Sequence, residues 1–253
     1  MELPLTRLPQ LAWRGFVDLV TPSQCLGCGV PVGEPASLCV PCWGKLQHID
    51  EPVCDMLGTP FAYEQGPGTL SAAAIADLPV WDRSRAAVIF DEASRGLVHA
   101  LKYQDRQEAG KLMARMMARA GRQILRDADV ILPVPLFRWR LWRRRFNQSA
   151  YLAQQLSRLS GKAWEPGFLM RGRRTRSQVG LDHAERRKNV KGAFLISEAS
   201  TVSIAGKSVL LVDDVRTTGA TAEACAVVLK AAGARSVSLL SFALVPAPAK
   251  LHI

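Results

Sequence analysis

The sequence predicts an α/β domain with a parallel sheet and flanking helices, preceded by a small ribbon-like module. Three observations carry this. Four cysteines near the amino terminus are spaced Cys25-x2-Cys28-x10-Cys39-x2-Cys42. Short apolar, β-branched runs then alternate with segments of helical period, the order in which βα units are written. Finally, Val209 to Thr221 reads VLLVDDVRTTGAT, an apolar run ending in two acids and a Thr/Gly loop before an Ala-rich stretch. We place the module in residues 1–60 and the α/β domain in residues 61–253.

Length and composition agree with this division. A chain of 253 residues holds one ordinary domain and a smaller unit. With 48% hydrophobic residues it belongs with globular proteins. No apolar run approaches the roughly 20 residues that cross a bilayer. Glu2 and the lack of a basic start before an apolar core argue against a signal peptide, so the expected location is cytoplasmic. The net charge of +11 is concentrated, since Pro133 to Lys191 holds 15 Lys or Arg against 3 Asp or Glu. A local surplus of this kind points to a polyanionic ligand or partner.

In chain order, the cysteines come first. Paired C-x2-C knuckles let two thiolates each converge on one tetrahedral ion, which reads as a structural zinc site of Cys25, Cys28, Cys39 and Cys42. Gly27, Gly29 and Pro41 suit the tight turns required. A pair of disulfides is the other reading, disfavoured in a reducing compartment. Cys54 opens CDMLGTP, a further knuckle with Leu57 at its second position and Gly58 and Pro60 still in place; it reads as a remnant.

Ser84 to Phe90 is expected as a strand, followed by a helix with Leu97, Val98 and Leu101 on one face. Ala109 to Leu125 is expected as a longer helix burying Leu112, Met116 and Ile124. Between them, Lys102 and Tyr103 stand either within reach of a site or in solvent at a helix end. Asp129 to Leu136 is expected as a strand closed by Pro133 and Pro135, with a helix from Gln148 to Leu159. The basic stretch Leu169 to Phe194 reads either as a hood able to close over phosphates or as a solvated loop. A hairpin-like stretch, Val202 to Lys207, follows it. Cys225 is expected to be a small buried residue.

Ser208 to Val212 has the composition of a buried parallel strand, whose carboxyl end opens on the crevice. Asp213 and Asp214 stand there as paired carboxylates, able to accept hydrogen bonds from a diol or hold a divalent cation. Thr217, Thr218, Gly219, Ala220 and Thr221 offer hydroxyls and N–H groups at the start of a helix predicted over Ala222 to Ala232, an anion site suited to phosphate. A diol reader beside a phosphate cradle describes a ribose 5-phosphate site.

This stretch resembles the phosphoribosyl pyrophosphate (PRPP) motif of type I phosphoribosyltransferases. With the knuckles at Cys25–Cys42, ALKY at Ala100–Tyr103, PVPL at Pro133–Leu136, RFNQ at Arg145–Gln148 and the spaced Gln178, Leu181, Arg186, Asn189 and Phe194, the chain from Cys25 to Leu244 is similar to the ComF/GntX family of phosphoribosyltransferase-like proteins. The resemblance implies a type I phosphoribosyltransferase-like sheet preceded by a zinc-ribbon-like module, and a role in natural transformation or DNA uptake. It implies that Asp213 and Asp214 hold the ribose hydroxyls and Thr217 to Thr221 the 5-phosphate. The pyrophosphate would then meet Arg145, Asn147 and Gln148, with Gln178 and Arg186 in the hood. In two places the chain departs from the family pattern, having Leu57 in place of a knuckle cysteine and Arg144 in place of glycine.

Two functions compete. One is a phosphoribosyltransferase that uses Mg²⁺ with PRPP, where Asp213, Asp214 and Arg145 carry the chemistry and the acceptor is a nucleobase nitrogen or a relative of one. The other is a non-catalytic protein that handles single-stranded DNA on the same scaffold. In that reading Arg138, Trp139, Arg140, Trp142 and Arg143 neutralise phosphates and stack bases, alongside other DNA-uptake proteins. A purely structural adaptor is a third reading.

Overall fold

The computed structural model describes residues 23–66, 68–103, 106–136, 146–173, 183–190 and 192–246. Its centre is a five-stranded sheet of β1 (Arg83–Ile89), β2 (Val130–Pro133), β3 (Ala163–Trp164), β6 (Ser208–Arg216) and β7 (Ser236–Leu244). The order is β1-β7-β6-β2-β3, and every pairing is parallel. Parallel strands need crossovers, and helices supply them: α3 (Glu92–Tyr103), α4 (Gln107–Ala120), α5 (Arg122–Asp127), α6 (Gln148–Ser160) and α9 (Ala220–Ala231).

The apolar runs of β6 and β7 are continuous because both sheet faces are covered. Leu210, Val212, Leu240 and Phe242 pack with Leu101, Met113, Met117 and Leu152 of α3, α4 and α6. Leu211, Val209 and Leu239 face the other way, onto Cys225, Ala226 and Leu229 of α9. Cys225 is fully buried, as expected, and burial with the nearby Asp213 charge pushes its thiol up.

Three expectations are corrected. The single helix over Ala109 to Leu125 is two, α4 and α5, divided at Gly121; a β-carbon there would lie 2.6 Å from Leu240 Cδ1, so the helix passes the sheet only at a glycine. The strand expected to run to Leu136 ends at Pro133, since Pro133 and Pro135 have no N–H to give the ladder, although Val134 N–H still reaches Val212 O at 2.9 Å. The hairpin-like stretch at Val202 to Lys207 is instead largely helical, α8 (Glu198–Ile204), capped by the Ser197 hydroxyl on Ser200 N–H. Its start falls at an N-cap serine, a signal that outweighs the β-branched residues inside it. A two-stranded antiparallel sheet, β4 (Leu169–Arg171) with β5 (Phe194–Ile196), brackets α7 (His183–Val190).

The amino-terminal ribbon carries two five-residue helices, α1 (Val40–Gly44) and α2 (Ala72–Ala76). It joins the sheet at edge strand β1: His48 bridges Val88 in antiparallel sense, Ile49 N–H donates to Ala87 O at 3.0 Å and Ile89 N–H to Gln47 O at 2.8 Å. Among the described residues, no helix is long and apolar enough to cross a membrane.

Candidate functional site

β6 is the middle strand, and its neighbour β2 stops opposite Val212. The last residues of β6 therefore run past the end of β2, and Asp213 and Asp214 stand at the mouth of the gap this leaves. Across it lies the start of α6. Asn147 caps that helix, its side chain accepting from Ser149 N–H at 3.0 Å while its amide donates to Val134 O at 3.1 Å. The Ser149 hydroxyl donates to Asp213 Oδ1 at 2.9 Å, and Asp214 N–H donates to the same oxygen at 2.9 Å. Asp214 Oδ1 accepts from Val215 N–H at 2.9 Å, and Asp214 Oδ2 is ion-paired with Lys102 Nζ, from the end of α3.

Two adjacent acids at a buried strand end cannot both shed their protons cheaply. Burial first, and the Asp214 charge second, push Asp213 up to about 7 against the Ser149 hydroxyl, the Asp214 N–H and Lys102. Asp213 is thus a carboxyl held near neutrality, where a ligand that donates hydrogen bonds or brings positive charge draws it to the ionised form.

After Arg216 the chain turns through Thr217 and Thr218 to Gly219, which takes φ 80° as the N-cap of α9. The left-handed conformation requires glycine here, and it leaves the loop wrapped around the helix start, where first-turn N–H groups and the helix dipole favour an anion. The Thr218 hydroxyl accepts from Ala220 N–H at 3.4 Å. Opposite, at the start of α6, Gln148 is 2% exposed and its Nε2 has no hydrogen-bond partner among the described residues.

Of the residues expected in a ribose-phosphate site, Asp213, Asp214, Thr217, Thr218, Gly219, Ala220 and Thr221 lie on one continuous strand–loop–helix, with Asn147 and Gln148 at the facing helix start. Arg138, Trp139, Arg140, Trp142, Arg143, Arg145 and Gln178 lie outside the described residues, as does the side chain of Arg186. Sequence reasoning missed Ser149, which follows Asn147 and Gln148 as one more polar residue. It left Lys102 open; the structure pairs it with Asp214.

The four cysteine sulfurs at Cys25, Cys28, Cys39 and Cys42 lie within 4.8 Å of one another, close enough to converge on one tetrahedral ion with metal–sulfur bonds near 2.3 Å. Burial raises the Cys25 thiol, but N–H groups of Cys39, Cys28 and Gly27 outweigh it and bring it to about 6. Hydrogen bonds to Cys28 and Cys39 drive Cys42 up to about 12. Packed sulfurs with one thiol favoured as anion and another resisting ionisation are what a cation would relieve. The cluster is consistent with a structural zinc.

The Cys54 segment repeats the first knuckle's backbone without its ligands. Cys25 N–H donates to Val30 O and Gly29 N–H to Cys25 O; Cys54 N–H donates to Thr59 O and Gly58 N–H to Cys54 O. Gln24 bridges Pro31 as Val53 bridges Pro60. Cys39 N–H donates to Cys25 Sγ at 3.2 Å and Ser71 N–H to Cys54 Sγ at 3.3 Å, and Cys39 and Ser71 are the N-caps of α1 and α2. Cys54, Leu57, Ser71 and Ala74 therefore occupy the places of Cys25, Cys28, Cys39 and Cys42. One thiol among four positions does not fit a metal.

Residues 16–74 match the family model of the Double zinc ribbon domain. The DNA utilization protein YhgH of Escherichia coli O157:H7 is 30% identical over 87% of this chain and 96% of its own length. Competence protein F of Haemophilus influenzae is 30% identical over 91% of this chain and 94% of its own. Among solved structures, glutamine PRPP amidotransferase from B. subtilis, complexed with ADP and GMP, aligns at 22% identity and a TM-score of 0.36. That alignment covers 53% of this chain and 26% of the amidotransferase. With its end-to-end likeness to YhgH and competence protein F, and its ribbon followed by a parallel α/β sheet, this chain belongs to the YhgH/ComF family.

Proposed function

We propose that this chain binds the ribose 5-phosphate portion of PRPP or a related ligand at the carboxyl end of β6, and acts in DNA utilization as a phosphoribosyltransferase-family protein of the cytoplasm. The observation that carries the reading is the facing of the paired acids and the start of α6, beside a Thr/Gly loop opening a 12-residue helix; the buried Gln148 amide at that start has no partner among the described residues. The acids would take the ribose diol, Thr217 to Thr221 the 5-phosphate, and Gln148 Nε2 a pyrophosphate oxygen. In transfer, an acceptor nitrogen bonds to the anomeric carbon as the carbon–oxygen bond to pyrophosphate breaks, and the electron pair leaves on pyrophosphate. The two carboxylates, with pyrophosphate oxygens, offer the hard donors Mg²⁺ prefers, and a bound Mg²⁺ supplies charge neutralisation on the leaving group. A zinc ion on the four cysteines completes the ribbon. Calorimetric titration of PRPP with Mg²⁺ tests the site: the native chain should bind and Asp213→Asn should lose at least about tenfold in affinity. Undiminished affinity in that variant defeats the reading.

A second reading, single-stranded DNA handling, is favoured by another surface. Arg115, Arg119, Arg122 and Arg126 follow one another along the exposed side of α4 and α5 and line a cleft of about 700 Å³ against the ribbon. Across it Trp43 and His48 lie with ring centroids 4.5 Å apart. Cations along a groove with an aromatic wall suit a phosphate backbone and a stacked base, although Arg119 is shared with Asp50 and Arg115 donates to Ala36 O. Arg122→Glu with Arg126→Glu should weaken oligonucleotide binding and flatten its salt dependence; an unchanged salt slope removes this groove as the interface.

A further inference from the structure

The second ribbon lobe has lost its metal positions yet kept its knuckle, and the contacts it makes lead to the phosphate loop. Met56 O accepts from Trp81 Nε1 at 2.7 Å. Leu57 O, at the place of a knuckle ligand, accepts from Arg216, the residue that leads into Thr217. Trp81 is 3% exposed, and its ring closes on the loop so tightly that a β-carbon on Gly219 would lie 2.6 Å from Trp81 Cη2. The lobe is also fastened to β1: Arg85 donates to Asp55 Oδ1 at 2.7 Å and Ser84 N–H to Asp55 O at 3.0 Å. Leu57 packs with the core on the α9 face of the sheet.

We propose that this metal-free lobe is a clamp that positions the phosphate loop, with Trp81 as its positioning residue and the Leu57 carbonyl on Arg216 as its second arm. One arm fixes the residue before Thr217, and the other presses on Gly219, so the loop between them is held from both ends. The zinc-type lobe makes neither contact. Loop geometry is then independent of metal in the first lobe and dependent on an indole that packs against the loop itself. The clamp's effect on affinity rests on the ribose 5-phosphate reading; its effect on loop mobility does not.

The test is peptide-resolved hydrogen exchange on the full chain, alongside PRPP titration with Mg²⁺, for the native protein, Trp81→Ala, Trp81→Phe and Cys39→Ser. Trp81→Ala should speed exchange of the Thr218 to Thr221 amides about tenfold while the amides of β6 and β7 keep their protection, and weaken PRPP about tenfold. Trp81→Phe, which keeps a ring but gives no N–H to Met56 O, should fall between. Cys39→Ser should loosen residues 24–44 and leave both loop exchange and affinity unchanged. If the native chain binds no PRPP, the ribose-phosphate reading fails, and exchange alone decides the clamp. Native-like loop exchange in Trp81→Ala, or equal loosening by Cys39→Ser, overturns it. Should Trp81→Ala unfold, Trp81→Phe decides: faster loop exchange supports the clamp and unchanged exchange overturns it.

Discussion

Asp213 accepts two hydrogen bonds at one oxygen, from Ser149 and from Asp214 N–H, and its pKa is nevertheless raised to about 7 because burial and the Asp214 charge outweigh them. The sign follows from linkage. Between about pH 4, where an unfolded aspartate ionises, and about pH 7 the folded chain retains a proton the unfolded chain has released. Stability contributed by that proton is full below the window and is lost as pH rises through it. Asn at this position keeps an oxygen for both donors and carries no charge at any pH. We therefore expect Asp213→Asn to match the native chain at and below about pH 4 and to exceed it at pH 8, by on the order of a few kcal/mol, in denaturant melts at the two pH values. A difference that does not change between them would show that Asp213 titrates normally. The substitution expected to weaken PRPP should thus stabilise the fold, as expected where function keeps a strained charge in place.

At the scale of elements, the sequence was most legible where both ends of a segment were marked. The strand–loop–helix from Ser208 onward was read in the right order, because an apolar run, two acids and a glycine loop mark it, but the strand continues past Val212 through both acids to Arg216 and the helix begins at Ala220, two residues before Ala222. α6 was equally clear, with Asn147 as N-cap and Gly161 at φ 71° as its left-handed end. Failures came where the deciding contact is distant in sequence. Gly121 divides a helix whose apolar period is unbroken, and the close packing of Leu240 that excludes any larger residue there is not visible in sequence. Ser71 and Ala74 give no hint in sequence that they stand where Cys39 and Cys42 stand in the first lobe; that equivalence appears only in the hydrogen bonds around Cys54. The acids and phosphate loop of the candidate site were legible because they are contiguous. Lys102, from α3, was left open between site and solvent, while Ser149, from α6, and Trp81, just before β1, were not read at all.

Over the whole molecule, the sheet is covered on both faces by helices, and its two edges are treated differently. β3 is only two residues long, which offers little backbone to a stranger. β1 is seven residues long, mostly buried and apolar at Ala86, Ala87 and Val88, and residues 47–49 of the ribbon lie along it in antiparallel pairing. A chain cut back to residues 77–253, without either ribbon lobe, would uncover that border, leaving Ala87 O and Ile89 N–H without their partners. An open, apolar strand border recruits further copies of itself, so we expect the shortened protein to scatter light as a polydisperse mixture at concentrations where the full chain is monodisperse. A monodisperse shortened chain would show that the border guards itself. The ribbon is thus a guard against self-recognition as well as the carrier of a four-cysteine cluster, and losing it would cost the protein its solubility before its chemistry.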